Sequence, residues 1–326
     1  MEPYIVAVIV AASVIFVLAT VLIPSGVAYK MTFYSDRKKK RDPYRAIESA
    51  AFDSVREKCR KNIDELYALP SEEISVKSHD GLVLRAHFYK GRDGEPFHLM
   101  FHGYKSSAFL DFSGGAIECI ERGGNVILID QRAHGDSEGK TISFGVRESL
   151  DVHTWIKYTE ERFGSDITVF LWGISMGAAT VISSLEFPVS GSVAGVIADC
   201  PFSSPLGIIT RVAGTMGLPR AIVPFLMRPA ALIWGGFRLG HREAKRAIRN
   251  ARVPVLLIHG DGDTFVPRYM SDEIYKEAKD AGVGIEYHVF PGAEHAMSYL
   301  EDKERYTALT DAFLKNCIEK KQKTEI

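Results

Sequence analysis

The stretch Ile167-Thr168-Val169-Phe170-Leu171-Trp172-Gly173-Ile174-Ser175-Met176-Gly177-Ala178-Ala179-Thr180 changes character halfway along. Its first half is apolar and β-branched, the mark of a buried strand. It then passes through Gly173-x-Ser175-x-Gly177 into small helix-forming residues. Strand, tight turn and helix are the context of a nucleophile elbow. A serine on such a turn holds its hydroxyl clear of the backbone, and side chains at the two glycines would collide with the neighbouring strand and helix. The free N–H groups and positive dipole end of the helix then point at the place where negative charge would develop. Ser175 is the candidate nucleophile; the competing reading is an ordinary helix-starting turn.

Outward from the elbow the chain alternates. Residues 73–78 and 82–89 read as a hairpin joined at His79-Asp80-Gly81. Residues 97–101, 125–130, 193–198, 254–259 and 285–290 read as further strands. Residues 112–122, 146–163, 269–279 and 299–318 read as helices. This rhythm predicts an α/β fold, with a mostly parallel central sheet and helices on both faces. Between Cys200 and Arg252 the alternation breaks. Pro201, Pro205, Pro219, Pro224 and Pro229 interrupt a run whose segments 223–227 and 231–234 are too apolar for a plain connection. That predicts a small helical cap insertion over residues 201–252, either lined for an acyl chain or simply packed onto the sheet.

A serine hydroxyl needs a base, and the base needs an acid to fix its tautomer. Both belong at the carboxyl ends of later strands. Asp263 follows one strand end and His295 the last, giving the chain order Ser175, Asp263, His295. Asp261 and Asp199 are alternative acids. His102 and His134 also lie at strand ends, but before the nucleophile, and read as loop braces. An oxyanion hole needs two backbone N–H groups. Met176, directly after the nucleophile, supplies one, and Tyr104 in the loop His102-Gly103-Tyr104-Lys105-Ser106 supplies the other.

Residues 4–23 are almost wholly apolar and uncharged, enough to cross a bilayer as a helix. Pro24-Ser25-Gly26 is expected to end the run, and the basic cluster at 37–41 follows. Only Glu2 precedes the apolar run, which argues against a signal peptide. The positive-inside rule then places the basic flank and the catalytic domain in the cytosol, behind a single span in the cell membrane. The expected division is a transmembrane anchor over 1–28, a basic and helical linker over 29–70 with a helix from 43 to 69, and the catalytic domain over 71–326.

The 326 residues are 46% hydrophobic, with a formal net charge of -1, so nothing global points to nucleic acid. Four scattered cysteines make no C-x-x-C pair. Metal-ligand clusters and phosphate-cradling loops are absent, so no cofactor and no metal are expected.

Five motifs together resemble the serine α/β-hydrolases: Phe101-His102-Gly103-Tyr104, residues 130–137, Gly173-Ile174-Ser175-Met176-Gly177, residues 259–263 and Gly292-Ala293-Glu294-His295. Among these, the chain is most similar to bacterial membrane-anchored hydrolases of the esterase, lipase and prolyl-oligopeptidase-like sort. The resemblance implies the α/β-hydrolase fold and the triad, a bracing histidine-glycine loop, and a segment after Asp130 that stabilises the floor of the site. Ala133 departs from it, standing where a glycine is common. The absence of an N-terminal propeller argues against large peptides as substrates. The expected activity is carboxylic-ester hydrolysis through an acyl-enzyme, on a short- to medium-chain acyl ester drawn from the membrane. The alternatives are a small-peptide peptidase or amidase, and a catalytically silent, membrane-tethered binding module.

Overall fold

The computed structural model describes residues 2–36, 44, 47, 53 and 55–324. The basic cluster at 37–41 and most of residues 43–54, the first half of an expected helix, lie outside them; the second half is the helix Arg56–Ala68.

Eight strands form one sheet: β1 (Glu72–Lys77), β2 (Val83–Tyr89), β3 (Phe97–Phe101), β4 (Asn125–Asp130), β5 (Val169–Ile174), β6 (Val193–Asp199), β7 (Val255–Gly260) and β8 (Ile285–Phe290). Their order is β1-β2-β4-β3-β5-β6-β7-β8. β2 runs antiparallel to β1 and β4, and every other pairing is parallel. The sequence accounts for this. β4, β6 and β7 are buried along their whole length and read as unbroken apolar runs, as strands covered on both faces must. β1, at the sheet edge, alternates exposed and buried positions over its second half.

Helices cover both faces. Leu99 and Leu171 face Trp155 of the helix Glu148–Phe163 and Val181 of the helix Met176–Ser184. Met100 and Phe170, one residue along, face Ala116 of the helix Ser113–Glu121 and Phe313 of the helix Lys303–Thr324. The chain leaves β3 toward β4 on one side and reaches β5 on the other. This reversal opens the crevice in which open α/β sheets bind ligands. Phe101 pairs with Gly173, so β3 and β5 end side by side.

Residues 201–252 carry the helices Pro205–Thr215 and Val223–Trp234 and a short turn, Ala244–Ala247. Val223, Met227 and Ala231 are buried against the core, whereas Phe225, Leu232, Ile233 and Trp234 are exposed.

The N-terminal apolar helix differs from expectation. It does not stop at Pro24 but runs from Pro3 to Thr32, long and apolar enough to cross a membrane. Proline costs a helix one hydrogen bond and clashes with the preceding turn. Here a π-helical turn, Leu18–Leu22, widens the ladder just before Pro24, and the Ile23 N–H donates to the Leu18 carbonyl. The end of this helix packs on the rest of the protein. Ser25 and Ala28 are buried, and Phe33 sits edge-on to Phe144 and Phe237, at 5.7 and 5.4 Å between ring centroids. An isolated bridge from Tyr34 to Thr141 continues the attachment.

Arg132 is buried, 1% exposed. Its guanidinium binds both oxygens of Asp151, at 2.6 and 2.7 Å, and both of Asp80, at 2.9 and 3.1 Å. This ties the β1–β2 hairpin turn to the helix Glu148–Phe163 beneath the loop after β4. Arg132→Ala would leave Asp151 buried without its counter-ion. We expect it to destabilise the fold by about 3–5 kcal/mol, read as a lowered urea midpoint.

Candidate active site

Ser175 sits between β5 and the helix Met176–Ser184 with φ 55° and ψ -113°, a conformation that L side chains rarely adopt. Two close approaches impose it. A Cβ on Gly177 would lie 1.7 Å from the Phe101 carbonyl oxygen, and one on Gly173 would lie 2.4 Å from the Ala178 nitrogen. The helix can therefore lie against β3 and β5 only with glycine at both positions. The Ser175 N–H donates to the Asp199 carbonyl at 2.8 Å and steadies the turn.

The loops after β7 and β8 bring the other two residues. His295 Nε2 lies 2.9 Å from Ser175 Oγ, and His295 Nδ1 lies 2.6 Å from Asp263 Oδ2. The other oxygen of Asp263 accepts the N–H groups of Phe265 and Val266 at 2.9 and 2.8 Å. Burial alone would raise the Asp263 carboxyl. Hydrogen bonds from His259 and His295, and their charges, outweigh burial and hold it at about 2. Asp263 is thus anionic at neutral pH, placed to fix Nδ1 as the protonated ring nitrogen and leave Nε2 as the acceptor for the serine proton.

The two alternative acids are engaged elsewhere. Asp261 Oδ1 accepts the Gly292 N–H at 2.6 Å across the neighbouring turn. Asp199 Oδ1 accepts the Ser298 hydroxyl at 3.2 Å, and burial raises its carboxyl to about 6.

On the far side of Ser175, the loop after β3 passes close overhead: a Cβ on Gly103 would lie 3.4 Å from the Ser175 Cβ. Tyr104 follows Gly103 in this loop. Met176 opens the helix, and the first N–H groups of a helix have no intrahelical partner. Met176 is thus the residue next to Ser175 in the chain, and Tyr104 the residue next to the Gly103 approach. The Tyr104 ring packs on Phe144, and its hydroxyl donates to the Thr32 carbonyl at 2.7 Å, at the end of the N-terminal helix. His134 Nε2 accepts the Lys105 N–H at 3.0 Å and His102 Nε2 accepts the Gln131 N–H at 3.2 Å, so both histidines brace loops. Ala133 takes φ 61°, the left-handed turn that glycine would adopt without strain.

One residue at the site carries no signal in the sequence. Asp111, eight positions past Gly103, accepts the Gly103 N–H at 2.6 Å with one oxygen and the Ser106 hydroxyl with the other. Only the folded loop brings it there.

The sequence model of the Prolyl oligopeptidase family matches residues 239–321. The chain is similar to the uncharacterised YqkD protein of Bacillus subtilis, 27% identical over 202 residues, which are 60% of this chain and 64% of that one. It thus spans a little under two thirds of this curated relative. Among solved structures it resembles an esterase of Pyrococcus furiosus, with TM-score 0.63, 24% identity, and 77% and 93% of the two chains covered. It also resembles the acylaminoacyl peptidase of Pyrococcus horikoshii, with TM-score 0.55, 17% identity, and 77% and 42% covered. These likenesses show the α/β-hydrolase fold.

Because the Asp263 carboxyl is depressed in the fold, its stabilising contribution is present above its unfolded value near 4. It is lost as pH falls through its folded value. We expect an acid limb of the stability profile between about pH 4 and 2, worth on the order of 2 kcal/mol. Asp263→Asn should flatten it in chemical denaturation across that range.

Proposed function

We propose that this chain is a serine hydrolase of the α/β-hydrolase fold and that it cleaves carboxylic esters through an acyl-enzyme on Ser175. The observation that carries this reading is the line of contacts from Ser175 Oγ to His295 to Asp263, at 2.9 and 2.6 Å. Ser175 Oγ attacks the acyl carbonyl while His295 Nε2 takes its proton. Asp263 stabilises the imidazolium that forms. The N–H groups of Met176 and Tyr104 receive the oxyanion, each worth about 3 kcal/mol by the usual measure. His295 then protonates the departing alcohol. A water deprotonated by His295 releases the acid and restores Ser175.

The apolar cap and N-terminal helix favour an acyl ester of short to medium chain drawn from a membrane. In this reading the helix Pro3–Thr32 is a single span of the cell membrane, and the basic residues at 37–41 keep the catalytic domain on the cytosolic side. A second reading, a peptidase on small peptides, is favoured by the prolyl oligopeptidase match, which runs over Asp263 and His295. A panel of p-nitrophenyl esters and peptide anilides separates the two. Ester turnover should dominate, and Ser175→Ala should lower it by at least about 10⁴-fold without unfolding the protein. Undiminished turnover in that variant would defeat the assignment, as would failure of a fluorophosphonate to label Ser175.

Asp111 acts here as a positioning residue, holding the Gly103–Ser106 loop over the nucleophile. Asp111→Ala is expected to lower kcat about 10-fold or more with KM little changed, and Asp111→Asn to recover part of the loss.

A further inference from the structure

The cap has an unusual charge pattern. From Pro201 to Arg242 there is no aspartate or glutamate, yet the segment holds Arg211, Arg220, Arg228, Arg238 and Arg242. Arg220, Arg228 and Arg238 are exposed, and none has an acidic partner among the described residues. Between them the helix Val223–Trp234 divides. Val223, Met227, Ala230 and Ala231 seat it on the core, while Phe225 is 80% exposed and Leu232, Ile233 and Trp234 about half exposed. Ile222, just before the helix, is also exposed. A cationic, acid-free element with an outward apolar face suits the boundary between headgroups and acyl chains.

The position of this face beside the N-terminal helix names its partner. The first turns of the cap helix come against Leu18–Leu22, inside the apolar part of Pro3–Thr32. At the other end Trp234 Nε1 donates to Ser25 Oγ at 3.2 Å, and a Cβ on Gly26 would meet the indole at 3.1 Å. Leu18–Val21 is exposed and, apart from Thr20, apolar, and an element lying beside it shares its depth. Seven residues beyond Ser25, about 10 Å along the axis, Thr32 accepts the Tyr104 hydroxyl of the loop over Ser175.

We propose that the cap face formed by residues 216–234 inserts into the interface of an anionic phospholipid bilayer, beside the span. Its exposed side chains enter the acyl region, its arginines meet lipid phosphates, and the site lies within reach of acyl chains coming from the bilayer. The proposal rests on the reading of Pro3–Thr32 as a membrane span, and its test does not depend on turnover.

The chain has three tryptophans, of which Trp155 and Trp172 are buried in the core and only Trp234 is exposed. Full-length protein is reconstituted into phosphatidylcholine–phosphatidylglycerol vesicles whose acyl chains carry bromine near the headgroup. Emission should fall relative to unbrominated vesicles, and Trp234→Phe should remove most of that fall. Phe225→Trp, at a site with little packing to lose, should enlarge it roughly twofold. Protein that resists carbonate extraction yet shows no quenching in either the native chain or Phe225→Trp would overturn the cap proposal alone. Release of the protein by carbonate would overturn the span and the cap proposal together.

Discussion

The site depends on how closely the helix after Ser175 approaches the end of β3. Gly177 lies so near the Phe101 carbonyl that no side chain fits, and the parallel register of β3 and β5 gives the chain no other way past. The turn between must then be left-handed, and the serine at its apex stands clear of both elements. Such a conformation costs of order 1–3 kcal/mol. Burial of the whole helix Met176–Ser184 offsets it, together with the hydrogen bond from Ser175 to Asp199.

The same strain recurs around the crevice. Among the described residues, the non-glycine positions with positive φ are Lys105, Ala133, Phe144, Ser175, Cys200 and Ala296. Each lies in a loop that follows the carboxyl end of a strand. Backbone strain is thus gathered where the sheet presents its ligand site and is held there by the packed layers beneath. The N-terminal helix joins this assembly. Tyr104 and Lys105, over the nucleophile, reach the Thr32 and Met31 carbonyls, at 2.7 and 3.2 Å. The loop that receives an oxyanion in the proposed mechanism is therefore fastened to the segment that reads as a membrane span.

The parts of this arrangement that rest on local periodicity were legible in the sequence. Buried strands show as continuous apolar runs, and the hairpin shows as alternation around Asp80-Gly81. The elbow shows because two steric requirements fall within five residues. Ser175, Asp263 and His295 could be placed because each follows a strand end, and the structure brings their side chains together. The sequence favours Asp263 over Asp261, and the loop geometry after β7 turns Asp263 toward His295 while Asp261 binds the Gly292 N–H. Asp111 and the Asp80–Arg132–Asp151 cluster were not legible, because their partners are joined by tertiary packing and leave no spacing to read. The proline at 24 misled for a related reason. Its local preference is to end a helix, and a π turn upstream combined with burial of Ser25 and Ala28 overrides that preference. The apolar cap residues likewise gave no hint of which would pack and which would face outward.

The central claim is that Ser175 carries the acyl group between substrate and water. Acid-quenching the full-length enzyme milliseconds after mixing with a p-nitrophenyl ester, then mapping its peptides by mass, tests this most directly. The account predicts one acyl adduct, on the peptide and side chain of Ser175, which disappears as turnover ends. Steady turnover with no adduct at Ser175, or with the acyl group on another residue, would contradict it.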